Sequence, residues 1–264
     1  MQMKRILNYP GSKWTMAEKV VDLFPEHITY LEPFFGSGAM FFTKAPSKIE
    51  TINDLNCRVT NFFQVCREQP YKLAEAVYLT PISRWEQQES LELDPDPLED
   101  ARRFLVLSWQ SIGGIQRHLT GWRSNITTYG SKTINEWTAL PELIIEVANR
   151  LKMAQIENQD ALQLLERYNR KEVFAYVDPP YLMSTRKGRY YQTELEDDRQ
   201  PELLEILKKF EGKVMLSGYE NDLYNHQLSD WHKLQFQSNA EAGERRLETI
   251  WCNYEPSGQL SLFG

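Results

Sequence analysis

Cysteine is scarce in this chain, and nothing organises the little there is. Cys57, Cys66 and Cys252 are an odd number, widely spaced and without a Cys-x-x-Cys pair. That pattern indicates neither a disulfide framework nor a zinc site. The four histidines, His27, His118, His226 and His232, stand in no metal-ligand spacing, so no metal is expected. No apolar run approaches the roughly 18 residues of a membrane span. Met1-Gln2-Met3-Lys4-Arg5 leads into no apolar stretch, so neither a signal segment nor membrane contact is expected and the chain reads as cytoplasmic. Basic charge is in deficit too. The net charge is −7, which at first argues against a polyanionic partner.

The distribution of charge reverses that impression. Seven acids and no bases lie between Glu86 and Asp100. From Ala101 to Asn135 there are five bases (Arg102, Arg103, Arg117, Arg123, Lys132) and no acids. A second acid-free stretch, Leu182 to Thr193, carries Arg186, Lys187 and Arg189. An acidic chain of this kind can still present a basic cleft. At 264 residues it can bury a full core, as one large domain or one domain with an insertion.

The most informative stretch is Asp178-Pro179-Pro180-Tyr181. It follows Val173-Phe174-Ala175-Tyr176-Val177, a β-branched and aromatic run that reads as a buried strand. Two prolines cannot continue a central strand, so the chain leaves the sheet there. A carboxylate, a proline carbonyl and an aromatic ring are thereby held at a strand's carboxyl end, where open α/β sheets bind ligands. Taken alone, the tetrapeptide is equally well a strand ending in a proline turn.

Upstream, Tyr9-Pro10-Gly11-Ser12-Lys13 signals a turn into a helix reaching Phe24, with Ser12 as its cap and Lys13 beside exposed amides. Thr29-Tyr30-Leu31-Glu32 reads as a strand leading into Pro33-Phe34-Phe35-Gly36-Ser37-Gly38 and a helix, a nucleotide-type turn. The third glycine of the dinucleotide fingerprint is missing, so a dinucleotide is not favoured. About twenty residues on, a strand from Glu50 ends in Asp54, the spacing at which a carboxylate takes ribose hydroxyls. Asp54 as a plain cap for a helix over 55–67 is the competing reading.

Between residues 68 and 139 the alternation of strands and helices breaks. The acidic, proline-containing part to Pro97 is expected to be exposed, followed by a helix over 98–111. Then Gly113 to Asn125 suits a hairpin or loop in which Gln116, Arg117, Arg123 and Asn125 are residue types that read base edges or hold phosphates. The alternation resumes with a helix over 141–151 and a short strand leading to Asp160. A helix over 161–168 precedes the strand into Asp178. A helix over 201–210, a strand over 213–217, a helix over 221–228 and a closing hairpin (233–237 and 248–254) complete the body.

Taken together, these residues resemble the Dam-like, alpha-class DNA adenine N6-methyltransferases of restriction-modification systems and phages. The order of motifs is that family's: Tyr9 to Lys13, Glu32 to Gly38, Asn53-Asp54, an insertion, Asp160, and Asp178 to Tyr181. The resemblance implies an α/β, Rossmann-like, S-adenosylmethionine-dependent fold with a seven-stranded mixed sheet and an inserted target-recognition domain. Residues 1–67 and 140–255 would form the catalytic part, 68–139 the insertion, and 256–264 a flexible tail. Tyr9, Lys13, Glu32, Gly36, Gly38, Asp54, Asp160 and Asp178 match positions that hold the cofactor, with Asp160 toward its adenine. The family commonly has an aromatic after that aspartate. Ala161 stands here, so aromatic packing at that position is not expected.

The chemistry suits the motif. An exocyclic amino nitrogen is a poor nucleophile because its lone pair is delocalised into the ring. The Asp178 carboxylate and the Pro179 carbonyl can accept its two hydrogens and favour a pyramidal nitrogen aimed at a sulfonium methyl. The base must first leave the duplex, and Tyr181 can stack on it. Cytosine ring methylation would need a cysteine nucleophile after a proline, which the chain lacks. Methylation of the cytosine amino group stays open, as does a catalytically silent DNA-binding protein. An RNA or protein amide methyltransferase fits the basic insertion less well. Arg117, Arg123 and Asn125, with Arg186, Lys187 and Arg189, are the expected contacts to double-stranded DNA. At the terminus, Gln259-Leu260-Ser261-Leu262-Phe263 resembles the bacterial sliding-clamp binding peptide, with Leu262 and Phe263 filling an apolar pocket. A monomer or weak dimer is expected.

Overall fold

The computed structural model describes residues 3–114, 120–124, 132–185, 195–239 and 245–256. Among the described residues seven strands form one sheet: β1 (Thr29–Glu32), β2 (Ile49–Asn53), β3 (Ala154–Glu157), β4 (Val173–Val177), β5 (Lys213–Tyr219), β6 (His232–Asn239) and β7 (Arg245–Cys252). Their order is β3-β2-β1-β4-β5-β7-β6. The first five are parallel, and β7 runs antiparallel to both of its neighbours. Both faces of a parallel sheet must be covered, which is why β4 is apolar at every position and buried throughout. Alternation along the strands divides the core in two. Tyr30, Ile52, Phe174, Tyr176 and Met215 face one side. Leu31, Ala175, Val177, Val214 and Leu216 face the other.

The second face is covered by α8 (Ala161–Arg167), α9 (Gln200–Lys208) and α10 (Asp222–Gln227). The first is covered by α1 (Ala17–Val21), α2 (Ala39–Thr43), α3 (Cys57–Glu68), α4 (Pro70–Leu79), α6 (Pro97–Gln110) and α7 (Lys132–Leu151), with short α5 (Arg84–Glu89) beside α6. Helices of the middle segment thus share one core with α3 and the sheet. Helix α7 runs unbroken through residue 140 because Trp137, Leu140, Ile144, Val147 and Leu151 form one buried stripe. Pro141 removes one backbone donor from that helix without ending it.

Two of the five bases counted toward a basic cleft are paired with the acids that precede them. Arg102 pairs with Glu86 at 2.9 Å and Glu99 at 2.6 Å, and Arg103 pairs with Asp94 at 3.0 Å and Glu99 at 2.9 Å. Arg58 is held against Asp100 at 3.0 Å. Arg102 and Arg103 are therefore spent on folding the middle segment. Ser12, expected as a cap, does not cap a helix: α1 starts only at Ala17, after Met16, and has no side-chain cap.

Helix α6 also fixes the N-terminal turn. Trp109 Nε1 donates to Ile6 O at 2.8 Å, Ser108 Oγ donates to Asn8 O at 2.9 Å, and Asn8 Nδ2 donates to Ser108 O at 3.2 Å. Gly114, at φ +62°, passes so close that an added Cβ would lie 2.3 Å from Asn8 O. The middle segment thereby positions Tyr9 to Lys13 over the sheet edge. Where a hairpin or loop is expected, Ser111 and Trp122 bridge antiparallel. Arg123 donates its backbone N–H to Gln110 O there, at 2.8 Å.

Candidate active site

Acids stand at or just beyond the carboxyl ends of four adjacent strands. Along the order β3-β2-β1-β4 their carboxyl ends bring Asp160, Asp54, Glu32 and Asp178 into one row. They line a cleft open to solvent, walled also by Tyr9, Lys13 and Gly36. The cleft straddles the point between β1 and β4 where strand order reverses, the expected ligand position in an open α/β sheet.

The loops that carry these acids are tied together by Asn53. Its Nδ2 donates to Pro33 O at 2.9 Å and Gln159 O at 3.1 Å, and its Oδ1 accepts from Gln159 N at 3.0 Å. Gly36 and Gly38 have φ of +50° and +68°. An added Cβ on Gly36 would press on the Tyr9 ring at 3.3 Å, and one on Gly38 would meet the Phe35 ring at 2.5 Å. Gly38 shapes the turn and opens α2 without lining the cleft itself.

Asp54 is not the helix cap. Asn56 caps α3 by accepting from Arg58 N at 3.0 Å, while Asp54 turns inward and accepts from Gly36 N at 2.8 Å and Asn56 N at 2.9 Å. Burial pushes its carboxyl up to about 6 despite those two donors. Glu32 is buried and accepts from Tyr30 Oη at 2.6 Å. Burial, with the Asp178 charge nearby, pushes it up to about 8. Asp160 caps α8 through Leu162 N and Gln163 N, and also pairs with Arg199 at 2.7 Å. That guanidinium holds its carboxyl below the ordinary aspartate value.

At the end of β4, Lys13 Nζ lies 3.1 Å from Asp178 Oδ2. It also donates to Gly11 O at 2.7 Å and sits 4.9 Å from the Tyr181 ring centre. On the other side, Tyr181 Oη lies 3.0 Å from Asp178 Oδ1 and 2.8 Å from Glu248 Oε2. The Tyr181 ring packs edge-on against Tyr219 at 4.6 Å. Pro179 is buried, and Pro180 O accepts from Gln200 Nε2 at 2.9 Å. Gln200 Oε1 in turn accepts from Tyr224 Oη at 2.5 Å, which locks the proline turn onto α9. Asp178 and Pro180 line the cleft; Pro179 and Tyr181 do not.

Tyr9, Lys13, Glu32, Gly36, Asp54, Asp160 and Asp178 are thus gathered as the sequence predicts. Arg123 is described, on the strand-like segment paired with Gln110. Arg117, Asn125, Arg186, Lys187, Arg189, Gln259, Leu260, Leu262 and Phe263 lie outside the described residues. Sequence reasoning missed Glu248, Gln200 and Arg199. A lone acid within the run Leu-Glu-Thr-Ile-Trp of β7 was the available signal for Glu248. Among the described residues no group of three or more histidine, cysteine or acidic side chains can hold a metal, and no helix is long and apolar enough to cross a membrane.

The residues fit S-adenosylmethionine. A close-packed glycine turn admits a ligand to the backbone, and the acid row suits a molecule carrying an ammonium, a sulfonium and ribose hydroxyls. Sheet order, reversed β7 and acid row together define a Rossmann-like, S-adenosylmethionine-dependent methyltransferase. A family model described as D12 class N6 adenine-specific DNA methyltransferase matches residues 9–241, and the chain belongs to that family. It is a site-specific DNA methyltransferase acting on adenine. The chain is similar to the type II methyltransferase M1.LlaDCHI of Lactococcus lactis subsp. cremoris, 27% identical over 89% of this chain and 90% of that protein. It is also similar to the type II methyltransferase M.MjaIII of Methanocaldococcus jannaschii, 23% identical over 84% and 86%. The modification methylase StsI of Streptococcus sanguinis is 31% identical over 69% of this chain and 29% of its own length. Solved structures superpose weakly: an Agrobacterium tumefaciens S-adenosylmethionine-dependent methyltransferase gives a TM-score of 0.39 at 10% identity, covering 90% of this chain and 59% of that one.

Proposed function

We propose that Asp178 and the Pro179 carbonyl accept the two amino hydrogens of an adenine turned out of duplex DNA. The observation that carries this reading is the position of Asp178 at the boundary of the cleft, braced by Lys13 at 3.1 Å. S-adenosylmethionine supplies an electrophilic methyl group on its sulfonium when bound. Glu32, Asp54 and Asp160, with Tyr9 and the turn from Gly36 to Gly38, hold it. Asp178 serves both ligands from one carboxylate, so the amino nitrogen is aligned without a covalent intermediate. Extruding the base costs a few kcal/mol. Tyr181, just outside the cleft, recovers roughly 1–3 kcal/mol of this by stacking.

Residues 68–139 choose the target sequence, with Arg117, Arg123 and Asn125 toward the bases, while Arg186, Lys187 and Arg189 grip phosphate beside the flipped base. The protein works in the cytoplasm as a monomer or weak dimer, as the modifying member of a restriction-modification system. Gln259, Leu260, Leu262 and Phe263 dock on a sliding clamp, which places it on newly replicated DNA. Deleting residues 259–263 then abolishes co-elution with the clamp; unchanged co-elution removes that part. For the catalytic reading, Asp178→Ala loses methyl transfer while retaining duplex binding. Near-normal turnover by that variant sinks it.

A further inference from the structure

Glu248 sits on β7 directly across from Tyr219 of β5 and is 6% exposed, deep enough that its carboxylate needs a reason. Its Oε2 approaches Tyr181 Oη to 2.8 Å, and the same hydroxyl lies 3.0 Å from Asp178 Oδ1 and 3.4 Å from Ser217 Oγ. A phenol has one proton to donate and two carboxylates compete for it here. Burial, with both carboxylates nearby, raises Tyr181 far above an ordinary tyrosine, so that proton stays on the hydroxyl.

We infer that Glu248 is a positioning residue that draws the Tyr181 proton to itself and so leaves Asp178 Oδ1 a full-strength acceptor for the substrate amino group. A carboxylate oxygen already accepting a hydrogen bond is a weaker acceptor for the next. If Glu248 is removed, the Tyr181 hydroxyl turns its proton onto Asp178, and the group that must polarise the nucleophile is partly spent. Lys13 already occupies Oδ2 at 3.1 Å, so Oδ1 is the oxygen whose competition matters. The inference rests on the reading of Asp178 as the amino acceptor. It adds that the acceptor's strength is set from β7, the reversed strand.

The test is single-turnover methyl transfer at saturating S-adenosylmethionine and duplex, with KM for each measured separately. Glu248→Ala slows the chemical step about tenfold or more, with KM changed less than about twofold. Glu248→Gln keeps a side-chain oxygen for the phenol and restores the rate to within about threefold of the natural enzyme. Tyr181→Phe removes the misdirected proton, so the double variant Tyr181→Phe with Glu248→Ala transfers faster than Glu248→Ala alone. Equal damage from Ala and Gln, or an Ala effect that persists undiminished in the Phe background, overturns the inference. Full activity in Asp178→Ala would instead overturn the reading beneath it, so the two failures are distinct.

Discussion

Lys13 and Asp178 form a buried ion pair, Nζ to Oδ2 at 3.1 Å, that joins the N-terminal turn to the end of the central strand. The two side chains are 6% and 17% exposed. Breaking a buried pair by removing one partner typically costs about 3–5 kcal/mol, because the remaining charge is left uncompensated. Lys13→Met is therefore expected to lose about 3 kcal/mol in urea unfolding, and Asp178→Asn in the same chain to recover most of it. Full stability of Lys13→Met would show that the pair is not part of the fold's framework.

Glu32, pushed up to about 8 by burial, is mostly protonated near neutral pH in the free protein. A ligand bringing an ammonium or sulfonium to this wall favours the ionised form, so binding releases a proton. Calorimetric titration with S-adenosylmethionine at pH 7, in buffers of different ionisation enthalpy, should report a substantial fraction of a proton released. Glu32→Gln should abolish the buffer dependence. No proton release from the natural protein would place the cationic end of the cofactor elsewhere.

Asp54 gives a pH window. Its folded value of about 6 lies above an unfolded value of roughly 3.9, so the folded chain binds more protons between them. Its contribution to stability is therefore present below roughly 3.9 and is lost as pH rises through about 6. Cofactor affinity runs the other way, since ribose hydroxyls donate best to the ionised carboxylate. Affinity is expected to fall as pH drops below about 6, and Asp54→Asn to flatten that dependence. An unchanged pH profile in Asp54→Asn would remove the ribose role.

Asp160 is both a helix cap and the partner of Arg199. Asp160→Ala is expected to cost about 1 kcal/mol, the usual value of a lost cap, and to weaken cofactor binding. Arg199, 39% exposed on its side chain, contributes little through its ion pair, so Arg199→Ala should unfold within about 0.5 kcal/mol of the natural chain. Denaturant titration of the two variants separates the cap from the pair.

Much of the fold was legible because the strands announce themselves. Thr29–Glu32 and Val173–Val177 coincide with their predicted ranges, being short β-branched and aromatic runs ended by proline. Boundaries failed where tertiary packing overrode a local signal. Pro141 reads as a helix start, yet the apolar stripe beginning at Trp137 carries α7 back to Lys132. The charge pattern misled for a similar reason: Arg102 and Arg103 follow an acid run in sequence and fold back onto it. In the site, the row of acids was visible because each stands at or just past the end of a predicted strand. Glu248, Gln200 and Arg199 were not, since their roles depend on which side chains the sheet order and the loop before α9 bring beside the proline turn.

Adenine methylation through Asp178 is tested most directly by sequencing host DNA for modified bases after expression of the natural chain and of Asp178→Ala. N6-methyladenine is expected at one short sequence with the natural chain and is absent with the variant. N4-methylcytosine, or methylation that persists without the Asp178 carboxylate, would contradict it.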